Sequence, residues 1–425
     1  MIFSDCWHFL FLFPTVEVID LNCNSWQARE SACDAGRIRK DDMNREKLRH
    51  LVIDATVVAN RHIGVHVAVW AQTRALAEAL NCRDDWRLTV IVADPELNAE
   101  LESMGVSTVF RPGIQGCPLR RILFQQTMLP SLLKRLHADV LFAPAYTAPR
   151  FISIPIVLQV HDIIVFDTPE LCSWRNRLHL KTLLPASLQS AQRIMTPSQN
   201  VRERILARFP SLDARKIMAL PLGIKATLLS PSQETIPPPS NTPYFLFVGA
   251  LEPKKGIDIL LDAYDRLAQR IPAGIPDLVL CGTATCWGSR GIVRRISSRR
   301  LPGNVIWRGV VDDAELCRLY RHAVAYIQPS RIEGFGLPVL EALACGTPVI
   351  CSDHPVLREV ADRYALYFPQ NSVDELAALL HQFLVKGSPV QHLVSPAERI
   401  AYAQQFTWQR WAREMVKLLD TIGLD

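Results

Sequence analysis

The chain has no cysteine pair at Cys-x-x-Cys spacing and no cysteine with a histidine partner at zinc spacing, although eleven cysteines are scattered over its 425 residues. A disulfide framework and a structural metal are therefore both unsupported, and a reducing, cytoplasmic setting is expected. Long runs of lysine and arginine are also missing, and the net charge is only +5, so no nucleic-acid partner is expected. Nor is any apolar run long enough to span a bilayer. The N-terminal "MIFSDCWHFLFLFPTVEVID" holds a short apolar stretch with no basic residues ahead of it, and reads as neither signal nor anchor.

What is present describes a compact globular protein: 49% hydrophobic and 21% charged residues. At this length one ordinary core does not suffice, and two domains are expected. From residue 50 onward, apolar runs of strand length ("LRHLVIDA", "RLTVIVAD", "ADVLFAP", "IPIVLQVHD") alternate with helix-period stretches such as "VHVAVWAQTRALAEAL". Such alternation implies parallel sheets with helices on both faces. The proline-rich "ATLLSPSQETIPPPSNTP" breaks the pattern, which restarts at "YFLFVGAL". The expected division is an extension, 1–42, outside the core; a first domain, 43–225; a linker, 226–242; and a second domain from 243. Met43 is an alternative start of translation. In doubly wound sheets, ligands lie beyond the carboxyl ends of the strands.

The densest chemistry lies in "RIEGFGLPVLEALACGTPVI". Gly334 and Gly336 permit a tight turn and close backbone approach, Pro338 suits the first helical turn, and Gly346 suits a C-terminal cap. The predicted helix, Leu337 to Ala344, would turn its N-H groups and positive dipole end toward a phosphate. Glu333 in the turn and Glu341 on the helix can each accept hydrogen bonds from paired hydroxyls. Taken alone, the same residues also describe a plain strand-to-helix connection with solvated charges. Lys254 and Lys255, in "FVGALEPKKGIDILL", read equally as a solvated face or as anion ligands. His161, ending the strand in "VLQVHDIIVFDTPE", reads as a structural or a catalytic histidine.

"EGFGLPVLEALACGTPVI" resembles the signature of the retaining glycosyltransferases of family 4, also called group 1. The resemblance implies an α/β fold of the GT-B type: two facing Rossmann-like, doubly wound parallel-sheet domains with a cleft between them. It further implies that Glu333 binds donor-sugar hydroxyls, that Glu341 binds the nucleotide ribose, and that the backbone of Phe335, Gly336 and Leu337 meets the sugar and diphosphate. Lys255 matches the family lysine that neutralises the departing diphosphate, and Lys254 stands where arginine is frequent. Ala250 replaces an arginine common after the glycine, which shifts charge neutralisation onto the lysine pair. His161 matches a histidine that contacts the donor sugar, and Asp162 is expected to orient its loop. Gly309 and Val310, in "NVIWRGVVDDAEL", would border the base. Gly64 would belong to an acceptor or phosphate loop, in which His62 and Val65 depart from the family's glycine-rich pattern. "FTWQRWAREMVKLL" resembles the terminal helix, 406–425, that crosses back to the first domain, leaving 243–405 as the nucleotide-sugar domain; an amphipathic helix closing a core is equally consistent.

The implied reaction is transfer of a hexose, mannose favoured and GDP-mannose the leading donor with UDP- and dTDP-sugars as alternatives, from a nucleotide-diphosphate sugar to a lipid-linked glycan in polysaccharide or lipopolysaccharide synthesis. No Asp-x-Asp occurs in the chain, so no metal and no further cofactor is expected. Alternatives are a silent sugar-nucleotide-binding module, or another GT-B enzyme such as a phosphorylase or epimerase. "GCPLRRILFQQTMLPSLLKRLH" sets Arg120, Arg121, Lys134 and Arg135 among apolar residues. That pattern fits docking to the anionic inner face of a membrane as well as it fits a solvated helix face.

Overall fold

The computed structural model describes residues 48–59, 64–229, 242–271, 274–299, 303–385 and 394–422. The expected extension, His62 and most of the 226–242 linker lie outside the described residues.

Among the described residues, thirteen strands form two all-parallel sheets. The first contains β1 (Arg49–Asp54), β2 (Trp86–Val92), β3 (Ser107–Phe110), β4 (Val140–Ala143), β5 (Ile156–Gln159), β6 (Arg193–Thr196) and β7 (Ile217–Ala219), in the order β3-β2-β1-β4-β5-β6-β7. The second contains β8 (Tyr244–Val248), β9 (Asp277–Cys281), β10 (Val305–Gly309), β11 (Ala325–Gln328), β12 (Val349–Ser352) and β13 (Leu366–Phe368), in the order β10-β9-β8-β11-β12-β13. "VLFA" in β4 and "IVLQ" in β5 are buried at every position, as strands covered on both faces by helices must be. β10, at an edge, instead leaves Ile306 and Trp307 exposed.

Strand order reverses between β1 and β4 in the first sheet and between β8 and β11 in the second. At such switch points adjacent connections leave in opposite directions and open a crevice. The loop after β1 leads to Gly64, that after β8 carries Lys254 and Lys255, and that after β11 carries Glu333.

Local signals explain the helices that flank these crevices. Ile257–Arg270 buries Ile257, Leu260, Leu261, Tyr264, Leu267 and Ala268 on one face. Gly256 precedes it with φ +67°, where an added Cβ would lie 2.0 Å from the Pro329 carbonyl, so the turn requires glycine. Asp312 caps Asp313–His322 by accepting from the Glu315 N–H at 2.8 Å, while the Glu315 carboxylate turns to Arg308 and Arg318 and so does not close a capping box. Leu337–Ala344 has the expected bounds, with Pro338 in its first turn; Gly346 follows at φ +76°, and the N–H of Thr347 returns to the Ala342 carbonyl at 3.0 Å.

The Trp408–Thr421 helix lies against the first sheet. Trp411 is fully buried with its ring 6.1 Å from that of Phe142 in β4, and Arg49 donates to the Leu419 carbonyl at 3.0 Å. Trp86 Nε1 donates to Asp420 at 3.0 Å.

Candidate active site

Glu333 is the centre of the site. Its side chain is buried, and a single oxygen, Oε1, accepts from Lys255 Nζ at 2.7 Å, Ser330 Oγ at 2.7 Å and Gln328 Nε2 at 2.8 Å. Burial pushes the carboxyl up, but the Lys255 charge and these hydrogen bonds outweigh it, and the group is held below the usual carboxylate range. Glu333 therefore remains an anion in a nearly dry place, with Oε2 outside this set of bonds.

The backbone around Glu333 is equally fixed. Arg331 forks onto Asp258 at 2.8 and 2.7 Å and donates to the Pro253 carbonyl at 2.7 Å, while its own N–H reaches the Lys254 carbonyl at 2.9 Å. These bonds lock the lysine loop to the glutamate loop. Lys254 pairs with Glu252 at 3.3 Å. Burial works against its charge, yet Glu252, Asp162 and Glu333 raise its pKa overall, so it stays an ammonium.

Beyond Glu333 the chain enters the Leu337–Ala344 helix through Gly336, at φ +98°, where an added Cβ would press on Leu357 at 2.9 Å. The first-turn N–H groups of a helix have no carbonyl one turn back, and Pro338 carries none at all. The donors left at this end belong to the backbone from Phe335 to Leu337. The Phe335 ring is buried with its centroid 6.5 Å from that of Phe406, so only its backbone can face a ligand.

Glu341 sits apart from Glu333, on the helix itself, buried and accepting from Tyr320 OH at 3.0 Å. Burial raises its pKa, only partly offset by Lys225 and the Tyr320 hydroxyl. The two predicted glutamates thus have opposite environments: one held charged by a lysine, the other biased toward the neutral acid. Gly309 ends β10 at φ +71°, with its carbonyl accepting from the Gly282 N–H at 2.6 Å and with Val310 exposed beside it.

The first sheet brings His161 to this cluster. An added Cβ at Gly334 would lie 2.1 Å from the His161 carbonyl, and Ser198 Oγ donates to the Gly334 carbonyl at 3.1 Å. Glycine at 334 is what lets the two loops touch. His161 is buried, its Nε2 donating to the Pro144 carbonyl at 2.8 Å. Burial lowers its pKa against the opposing Pro144 bond and Asp162 charge. The neutral ring with its proton on Nε2 leaves Nδ1 as an acceptor. Asp162 accepts from Tyr146 OH at 2.7 Å and from the Ile164 N–H at 3.1 Å, which fixes its loop. Gly64, the exposed first residue of Gly64–Leu80, follows residues outside the described set, and no described contact joins it to the lysines or to Glu333.

Sequence reasoning missed Gln328, Ser330 and Tyr320, which hold the two glutamates, and Tyr146, which holds Asp162. The only trace of the first pair was "IQPSRIE", two polar side chains at the end of an apolar strand. Tyr320 reads in the sequence merely as an apolar position of a capped helix.

Two family models match the chain: "Glycosyl transferases group 1" over residues 232–400 and "Glycosyltransferase Family 4" over residues 64–228. The chain is 31% identical to the O-antigen chain mannosyltransferase B of Escherichia coli over 61% of its own length and 68% of that protein. It is 30% identical to the O-antigen chain mannosyltransferase RfbU of Salmonella typhimurium over 49% of its length and 55% of that protein. Among solved structures, Anabaena HepE in complex with UDP-glucose superposes with a TM-score of 0.66 at 19% identity, covering 88% of this chain and all of that one (100%).

Proposed function

We propose, from the premise that the chain belongs to the family 4, group 1 glycosyltransferases and is itself a glycosyltransferase with the GT-B fold, that it transfers mannose from GDP-mannose to a lipid-linked glycan of a cell-surface polysaccharide. The observation that carries the reading is the buried Lys255–Glu333 pair, 2.7 Å apart, at the head of the Leu337–Ala344 helix and one glycine away from His161. The relatives that act on O-antigen chains favour mannose and a polysaccharide product.

In this reading the helix end and the ammonium groups of Lys254 and Lys255 receive the diphosphate, Glu333 accepts hydroxyls of the donor sugar, and Nδ1 of His161 accepts another. Glu341 and the backbone at Gly309 and Val310 receive ribose and base. As the bond between the anomeric carbon and the phosphate oxygen breaks, negative charge moves onto the diphosphate. Donors already in place for that charge are each worth about 2.7–4 kcal/mol in the transition state. The acceptor hydroxyl approaches from the face the phosphate leaves, gives its proton to the departing phosphate oxygen, and the anomeric configuration is kept. With two ammonium groups and a helix dipole available, the reaction proceeds without a metal.

The same reading places the first sheet against the inner face of an anionic membrane. Leu119, Leu123, Phe151, Trp174 and Leu178 are exposed by more than half, and Arg120, Lys134 and Arg135 are exposed on the same part of the chain as the first two. Apolar side chains that enter the interface beside cations that meet lipid phosphate are the ingredients of peripheral binding.

A panel of GDP-, UDP- and dTDP-sugars tests the proposal by thermal shift and by release of nucleoside diphosphate. GDP-mannose at 100 times its Kd is expected to stabilise the fold by about 2.7 kcal/mol, and release should require a glycan acceptor. A larger shift from another donor overturns the sugar assignment, and binding without release under any acceptor supports the silent module instead.

A further inference from the structure

Two cysteines from different helices meet beside Glu341. Cys317 lies buried on Asp313–His322, and Cys345, partly exposed, caps the end of Leu337–Ala344. Their meeting follows from the contacts around them. Tyr320, one turn after Cys317, donates its hydroxyl at 3.0 Å to Glu341, one turn before Cys345. The Thr347 hydroxyl, two residues after Cys345, donates to the Tyr320 carbonyl at 2.7 Å. Residues three or four apart share a helix face, so these bonds hold the Cys317 side chain against that of Cys345. The two thiols are hydrogen-bonded to each other.

The chemistry of this pair differs from that of the core cysteines. Burial pushes the Cys281 thiol up to about 12 and raises Cys351 in the same way, as befits inert core thiols. At Cys317 the hydrogen bond from Cys345, helped by the Arg321 charge, outweighs burial and pulls the thiol down. Cys345, which gives that bond, is raised by it and by burial. A sulfur inclined to ionise thus faces a second thiol able to resolve it, the arrangement of cysteines that oxidise reversibly. Access is from the end of the Leu337–Ala344 helix, where Cys345 and Gly346 are both partly exposed.

We infer that Cys317 and Cys345 form a reversible disulfide that loosens the hold of the second half on the nucleoside diphosphate. The effect on the nucleotide rests on the reading in which Glu341 receives the ribose. The oxidant is a hydroperoxide. The Cys317 thiolate attacks one peroxide oxygen, the O–O bond breaks, and the departing hydroxide takes up the proton that Cys317 first lost. Sγ of Cys345 then displaces hydroxide from the Cys317 sulfenic acid, and its own proton leaves with that hydroxide as a second water. Two electrons pass from the sulfurs to the peroxide; a dithiol reductant reverses the change by exchange and is itself oxidised to a disulfide. A disulfide holds its sulfurs about 2.05 Å apart, much closer than a hydrogen bond between thiols, so closing it draws one helix end toward the other. Tyr320 and Glu341, each one turn from a linked residue, move with them. Nucleotide must in turn oppose oxidation by the same factor.

Hydrogen peroxide treatment of the full chain, followed by peptide mapping by mass spectrometry without reduction, reads the bond directly. The expected result is a linked pair of peptides holding Cys317 and Cys345, lighter by two hydrogens than the separate pair and resolved by dithiothreitol. Isothermal titration should show the oxidised chain binding GDP about tenfold more weakly, with recovery after dithiothreitol. Saturating GDP should move the glutathione ratio at which half of the bond has formed by the same factor. Cys317→Ser and Cys345→Ser should bind GDP alike before and after peroxide. Sulfinic acid without the linked peptides, linkage of either residue to another cysteine, unchanged GDP affinity in the linked chain, or a peroxide effect that persists in Cys317→Ser each overturns the inference. Binding of UDP or dTDP in place of GDP by the reduced chain would overturn the donor assignment alone, and the comparison is then made with that nucleotide. Binding of none of the three would overturn the ribose reading of Glu341, and the inference with it.

Discussion

The two halves hold their charges in different ways. Around the second sheet's switch point the charged side chains are bonded in pairs: Lys255 to Glu333, Lys254 to Glu252 and Arg331 to Asp258. On the first sheet's outer helices, Lys134 and Arg135 have no ion pair among the described residues, and Leu119 and Leu178 stand 65% and 63% exposed. A buried charge without a partner is destabilising by several kcal/mol, so a site that must be dry has to arrive with its counter-charges built in. A surface for a fluid, variable partner has no such requirement, because water and counterions screen its charges until contact is made.

The largest effect is expected where a buried pair is split. Lys255→Met should lower stability by about 3–5 kcal/mol, because Glu333 stays buried without its counter-charge. Turnover should fall about 100- to 1,000-fold. Adding Glu333→Gln should recover much of the stability and none of the turnover; melts that fall additively would show that the pair is not coupled. Next is the contact between the halves. Gly334→Ala places a methyl against the His161 carbonyl and should cut turnover about 100-fold by displacing the loops, with the far-ultraviolet circular dichroism retained. Unchanged turnover would mean that the two loops need not touch during the reaction.

A smaller effect separates the two glutamates by pH. The Glu333 carboxyl is held below its ordinary value of 4.5, so its contribution is present above that pH and is lost as pH falls through the folded-state value. Glu341 is raised above 4.5, so its contribution is complete below that pH and declines as pH rises through its folded-state value. Melting curves taken from well below pH 4.5 up to pH 8 should therefore show Glu341→Gln losing less stability than the parent on the alkaline limb, and the Glu333→Gln variant losing less on the acid limb. The same slopes in both variants would remove the contrast. Least affected by mutation should be the fold itself at the outer surface: Trp174→Ser with Leu178→Ser should change stability by no more than about 0.5 kcal/mol per site, while sedimentation with anionic vesicles falls. Equal sedimentation of parent and variant would end the membrane reading.

Strand and helix positions were legible because their signals are local. The apolar runs of β4 and β5, the buried face of Ile257–Arg270 and the bounds of Leu337–Ala344 follow from periodicity, glycine and proline. Lys254, Lys255 and Glu333 were legible as site candidates through the resemblance, but their bonding was not. Nothing at residue 333 announces that three donors converge on one oxygen, since Gln328 and Ser330 become partners only when the loop folds back on β11. The cap at Asp312 shows the same dependence: Arg308 and Arg318 take the Glu315 carboxylate, and Arg308 comes from a different element. Trp174 and Leu178 were passed over because their exposure depends on which face of Trp174–Ser190 the first sheet covers.

By itself, then, the order of residues determined two parallel sheets, the placement of glycine-rich turns and cations after particular strands, and the family, since each depends on spacing along the chain. Tertiary structure decided which charges are buried together and that Gly334 rests on His161. Burial and counter-charge are properties of three-dimensional neighbours, and residues 255 and 333 become neighbours only after the chain has crossed three strands to return.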